Sequence, residues 1–148
     1  MRIKYVFTAI TGACLSFLLF SCHFTEKRPY GYFRLGKVNS LLAPETEFKD
    51  AGFLLKRDAK GFYLMSTFCT YDLTPLERKK LPTGEEIYSS HYTTSTYDLN
   101  GKVLAGPAKY NLPYFELEFA AWSYGGPVET LYVKISSEVS PEWRLTYH

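Results

Sequence analysis

The stretch Ser90–Phe119, SHYTTSTYDLNGKVLAGPAKYNLPYFELEF, decides the fold. Asp98-Leu99-Asn100-Gly101 is a turn signal, because Asn and Gly accept the positive φ that tight turns require. Gly106-Pro107 marks a corner, and Pro113 opens the next element. From Tyr114 to Ala121 the apolar Phe115, Leu117 and Phe119 alternate with Glu116 and Glu118, the two-residue period of a half-buried strand. Thr96-Tyr97-Asp98 and Lys102-Val103-Leu104 read as short strands flanking the turn.

Outward from this stretch the same punctuation recurs. Gly52–Lys56 and Phe62–Ser66 are apolar runs on either side of Arg57-Asp58-Ala59-Lys60-Gly61, and they predict a hairpin. Tyr30–Leu35 and Lys37–Leu42 read as strands separated by Gly36, and Ala43–Glu47 reads as a loop. Thr67–Thr83 is polar, with room for one helical turn over Pro75–Lys80; Glu86–Ser89 is a short strand. Ser123-Tyr124-Gly125-Gly126-Pro127 turns the chain into Thr130–Ile135. After position 25 no long window holds a 3.6-residue apolar period. The 13 Tyr and 11 Phe point the same way, so the expectation is an all-β barrel or sandwich.

A chain of 148 residues, 46% hydrophobic, has enough apolar surface for one packed domain. Its start is different in kind. Met1–Lys4 is basic and Tyr5–Phe20 is apolar without a charge, shorter than the about 20 residues a spanning helix needs. Leu19-Phe20-Ser21-Cys22 resembles a bacterial lipobox, which implies cleavage before Cys22 and acylation of its thiol. Cys14 is the alternative acceptor, and an ordinary secretory signal or an uncleaved anchor the alternative reading. The expected organisation is signal peptide 1–21, tether 22–29 and one domain from 30 to 148. Acyl chains contribute about 0.8 kcal/mol per buried CH₂, so such an anchor is effectively permanent. The implied location is the cell envelope, at the outer membrane or facing the periplasm, since His23 rather than a retention Asp comes after Cys22.

Without Arg2 and Lys4 the 17 basic residues fall to 15, against 15 acidic ones. A neutral chain lacks the clustered cations that bind phosphates, so no nucleic-acid partner is expected. Cys69 is the one thiol left once Cys14 leaves and Cys22 is acylated, which rules out an intrachain disulfide in that mature form.

Several of these segments together resemble the Rieske iron–sulfur domain. Lys56–Leu64 looks like that family's hairpin, and Phe68-Cys69-Thr70-Tyr71-Asp72-Leu73-Thr74-Pro75-Leu76 is similar to its first box, C-x-H-x-G-C-x-L. Ser95–Asp98 matches the end of the second box. Gly101–Ala108 with Leu112-Pro113-Tyr114 matches the family's G-x-V-x-x-G-P-A-x-x-x-L-P-x-Y continuation of that box. The resemblance spans about Gly52 to Ile135 and implies a small antiparallel β-barrel or sandwich with an inserted loop subdomain. It also implies four cluster-ligand positions, with Cys69, Tyr71, Ser90 and Thr93 in place of Cys, His, Cys and His. A [2Fe–2S] centre of this kind takes two thiolates and two imidazoles. One of four is kept, which implies a domain without cofactor or metal; a register shift that brings His91 beside Cys69 is the alternative.

Two other chemistries are weaker on the residues. Cys69 as a nucleophile needs a base, and His91 is the one available. A zinc site from Cys69, His91 and Asp72 has no family spacing behind it. Tyr71 and Tyr92 are expected to fill the volume a cluster would occupy, with Ser90, Thr93 and Thr94 hydrogen-bonding between loops. The resulting expectation is a membrane-anchored binding or structural subunit, non-catalytic, meeting a protein partner through loops 67–83 and 90–97. An electron-transfer protein holding [2Fe–2S] with unconventional ligands is the alternative.

Overall fold

Alternation and turn chemistry give an all-β chain in the computed structural model, which describes residues 31–121 and 128–147. The lipobox with Cys22, the tether and the turn expected at 123–127 lie outside the described residues. Ten strands run in order among the described ones: β1 (Tyr32–Lys37), β2 (Glu45–Phe48), β3 (Phe53–Asp58), β4 (Gly61–Ser66), β5 (Leu76–Lys80), β6 (Glu86–Ser90), β7 (Thr96–Tyr97), β8 (Val103–Ala105), β9 (Tyr114–Ala121) and β10 (Val128–Val139). They form a six-stranded antiparallel sheet in the order β1-β10-β9-β4-β3-β2, curled into a half-barrel, and a four-stranded sheet in the order β5-β6-β7-β8. The second sheet is contributed wholly by the chain between β4 and β9.

The half-barrel closes on an apolar core. Leu55, Phe62, Leu64, Leu117, Leu131 and Val133 are buried there, with Phe53, Phe62 and their aromatic neighbours meeting edge to face. The β3–β4 hairpin runs in continuous register from Phe53↔Ser66 to Asp58↔Gly61, and Asp58 Oδ1 accepts the Lys60 and Gly61 amides to shape its turn. Residues 140–147 return across β4, where Phe62 and Leu145 exchange two backbone hydrogen bonds of 2.9 Å. Arg144 lies 3.7 Å from the Tyr63 ring centroid and donates to Asp58 at 2.7 Å, which holds the Asp58 carboxyl below the usual range.

Three local expectations are corrected. Gly36 does not break a strand: β1 runs through it with a bulge, and the chain then tightens into a 3-10 turn over Val38–Ser40. Residues 45–48 are a strand, not a loop; their Glu side chains suit an edge position, where charge discourages further pairing. Pro75–Lys80 is not helical. Leu76–Lys80 pairs with β6, and Arg78 meets Glu86 across the pair at 2.7 Å. Cross-strand partners outweigh the helical propensity of a Glu/Lys/Arg run.

The Asp98–Gly101 turn locks the small sheet onto the half-barrel. Asp98 Oδ1 accepts the Asn100 and Lys102 amides at 2.8 and 2.9 Å. Gly101 has φ +75, and a Cβ there would meet Met65 Sδ at 2.7 Å, so the position needs glycine twice over. The Lys56 ammonium, buried on β3, donates to Leu99 O at 2.6 Å and faces Glu45 at 3.5 Å; burial pushes its pKa down while Glu45 opposes that shift.

Candidate functional site

The residues expected at the ligand positions come from two loops at the end of the small sheet. Cys69–Thr74 lies just after β4 and is closed by Cys69 N–H to Thr74 O at 2.9 Å and Leu73 N–H to Cys69 O at 3.0 Å. Residues 91–95 link β6 to β7, closed by Ser90 N–H to Ser95 O at 3.0 Å. A third segment, the return from β8 through Gly106 to Tyr110, packs against both. Thr70 Oγ1 donates to Tyr110 O at 2.9 Å, and Thr94 Oγ1 donates to Gly106 O at 2.7 Å. These bonds make one tip of three loops.

Asp72 is the hub. Its Oδ1 accepts from the Thr74 amide and hydroxyl at 3.1 and 2.7 Å, and its Oδ2 accepts from Ser90 Oγ at 3.0 Å. Thr74 foremost, with the Cys69 thiol and Ser90 adding to its effect, holds the Asp72 pKa down to about 2. Ser90 Oγ in turn accepts the Tyr92 and Thr93 amides, both at 3.2 Å. Thr93 Oγ1 donates to Ser95 Oγ at 3.0 Å, and Ser95 Oγ accepts the Ala108 amide at 3.1 Å.

Behind the hub lies Tyr97, fully buried on β7. Its Oη accepts the Thr70 amide at 3.1 Å and sits 3.0 Å from Thr70 Oγ1 and 3.5 Å from Cys69 Sγ. Since the Thr70 hydroxyl proton goes to Tyr110 O, the phenol proton is left for Thr70 Oγ1 or the sulfur. Burial is the main cause that raises the Tyr97 pKa, so the phenol stays protonated as that donor.

Cys69, Ser90 and Thr93 are therefore brought into one network, whereas Tyr71 is not: its ring stands in solvent. The expectation that Tyr71 and Tyr92 fill a vacated volume is overturned. Tyr71 is 61% exposed and Tyr92 76%, because the Asp72 carboxylate, the Ser90 hydroxyl and the Cys69 thiol already occupy the space between the loops. Ser90 and Thr94 make the hydroxyl bonds expected between loops, whereas Thr93 bonds within its own loop, to Ser95. His91 does not pair with Cys69. The thiol is buried against Tyr97 and Asp72, while the imidazole is exposed, edge-on to Tyr92 and 3.9 Å from Glu77. No group of three or more His, Cys, Asp or Glu that could hold a metal ion occurs among the described residues.

Outside, the tip is apolar. Leu73 and Tyr110 are 77% and 73% exposed and join Tyr71 and Tyr92 on the three loops, and Leu104 in β8 is 53% exposed. Leu73 is also the one described non-glycine residue with positive φ, +56. Sequence reasoning missed Leu73, Asp72 as hub and Tyr97. The Asp72-Leu73-Thr74 triplet held a usable signal, since Asp two residues before a hydroxyl residue favours a side-chain-closed turn.

A cleft of about 720 Å³ between the sheets is lined by Glu45, Glu47, Leu54, Arg78 and Tyr88 among others. Its charges are already matched, with Arg78 held between Glu45 at 2.9 Å and Glu86 at 2.7 Å, so it is a polar seam. No protein-family model, curated protein or solved structure matches the chain.

Proposed function

We propose that this chain is a non-catalytic binding domain of the cell envelope, lipid-anchored through Cys22. In this reading it has a Rieske-like fold in which a polar brace stands where the family holds iron and sulfur. The insertion of a four-stranded sheet between β4 and β9 supports the resemblance, since that family carries its site on an inserted subdomain. The donor set at the four positions does not fit a [2Fe–2S] cluster. It offers one thiol, buried and within hydrogen-bond distance of Tyr97, with two hydroxyls engaged inside the loops and a phenol turned outward.

The observation that carries the binding role is Leu73. A leucine in the left-handed region costs of the order of 1–2 kcal/mol relative to ordinary backbone. Exposing its side chain forgoes a further burial gain. Folded proteins hold such residues at sites of function, where the surroundings over-determine them. Here the over-determination comes from Asp72 and the Cys69–Thr74 bonds, and three tyrosines surround the result. Rigid loops presenting aromatic rings lose little entropy on contact.

A photo-crosslinking side chain in place of Tyr92 tests the reading in the native envelope. Adducts are expected there and not from Lys60, which lies in the β3–β4 turn at the other end of β4 from the tip. Absence of adducts at Tyr92, or a brown purified protein containing iron and acid-labile sulfide, overturns it.

A further inference from the structure

We infer that the surface this tip engages is a lipid bilayer, with Leu73 entering the interface and Tyr71, Tyr92 and Tyr110 around it at headgroup depth; the inference rests on the tip being the recognition face. Four large side chains, Leu73, Tyr71, Tyr92 and Tyr110, are more than half exposed on three loops tied together by hydrogen bonds, and Leu104 in β8 adds a fifth; a soluble monomer rarely leaves so much apolar surface together. The polar groups decide the kind of surface that covers it. Asp72, Ser90, Thr93 and Ser95 spend their donors and acceptors on one another and on loop amides, and Thr70 and Thr94 spend theirs on carbonyls of the third segment. What points outward is the three tyrosine side chains, His91 and Lys109, whose polar ends the headgroup layer can satisfy. A surface already satisfied inside itself can approach hydrocarbon without stranding polar groups.

Charge agrees. Asp72 is the one carboxylate within residues 68–75, 91–95 and 103–111, and it is turned into the hub; Lys109 is exposed, as is His91, which stands 3.9 Å from Glu77 of β5. An exposed cation beside tyrosine and leucine suits anionic headgroups, and tyrosine rings favour the membrane–water boundary. A second copy of the chain docking tip to tip would set Lys109 against Lys109, which disfavours that partner.

The test is amide hydrogen exchange of the full-length chain on vesicles of phosphatidylethanolamine and phosphatidylglycerol. Residues 69–75, 91–95 and 104–110 are expected to exchange severalfold more slowly than in a Leu73→Asn/Tyr92→Ser variant on the same vesicles. The Asp58–Gly61 turn should exchange alike in both proteins. Lys109→Glu should lose part of the protection, and phosphatidylcholine vesicles should give less of it. Equal exchange of wild type and variant on vesicles overturns the inference. If the tip is then protected only in native envelope membranes, its occupant is a protein and the recognition face stands; if it is protected in neither, both readings fall.

Discussion

The half-barrel and the tip are held by different forces. In the half-barrel, Phe62, Leu64, Leu131 and Val133 are fully buried among other apolar side chains, and the sheet closes over them. In the tip, the groups between the loops are hydroxyls, a half-buried carboxylate, a buried thiol and one buried phenol, each hydrogen-bonded. Apolar packing is non-directional and buries its own surface. Hydrogen bonds are directional and can fix a loop while leaving its outer side chains in water. That difference explains how the tip can be ordered and still present Leu73 and three tyrosines.

The largest test of the contrast lies in the half-barrel. Phe62→Ala removes a ring at the centre of the core, where it meets Phe119 and Tyr147. It is expected to cost ~3–5 kcal/mol, and to lower the stability of the tip with that of the sheets. Urea unfolding followed by far-ultraviolet circular dichroism measures it. A cost below ~1 kcal/mol would mean that the core collapses around the gap, or that the half-barrel does not carry the fold.

Next comes the centre of the brace. Tyr97→Phe keeps the ring and deletes the hydroxyl, leaving the Thr70 amide without its acceptor. Loss of a buried partner costs ~1–3 kcal/mol. The effect should be local, with faster amide exchange at Thr70 and in the Cys69–Thr74 loop and little change in β3–β4. Uniform loosening of both sheets would show that the tip and half-barrel are a single cooperative unit and not two regimes.

The two regions also differ in how legible they are in the sequence. Signals in the half-barrel and its junction are local: the Phe115/Leu117/Phe119 alternation gives β9, and two apolar runs around Asp58–Gly61 give the hairpin. The Asp98–Gly101 turn is encoded by residues within four positions of one another. The brace is not local. Ser90 reaches Asp72 across 18 residues and Tyr97 reaches Thr70 across 27, and no spacing rule announces either pair. Among many tyrosines, Tyr97 turns inward because its partner in β6 is the buried Tyr88, while Tyr71 and Tyr92 sit on loops where the hub has taken the interior. β2 and β5 are hidden in the sequence for a related reason. Arg78 of β5 is held between Glu45 of β2 and Glu86 of β6, and composition alone does not reveal those pairs.

Leu73→Asn changes the sign. Asparagine enters the left-handed region more readily than leucine, and the exposed side chain gives up no core contact. The variant should be more stable by about 1 kcal/mol in urea unfolding, while losing whatever the tip binds. A gain in stability with binding retained would leave the strain without a purpose. A loss of stability would show that the leucine packs against its own loop.

The smallest expected effect separates charge from geometry in the brace. The Asp72 carboxyl, ordinarily near 3.8, is held at about 2 by Thr74, Cys69 and Ser90. A carboxylate with a depressed folded-state pKa adds stability that is present above its unfolded pKa and lost as pH falls through the folded one. Wild type should therefore exceed Asp72→Asn at neutral pH, and the difference should fade between about 4 and about 2. The margin is small because the carboxylate is half-exposed and solvent screens it. The same acid window should leave the Phe62→Ala deficit in place, because that deficit comes from lost apolar packing and not from a carboxylate's charge. If the Asp72 difference instead persists unchanged to the acid end, the hub works through shape and not through its charge.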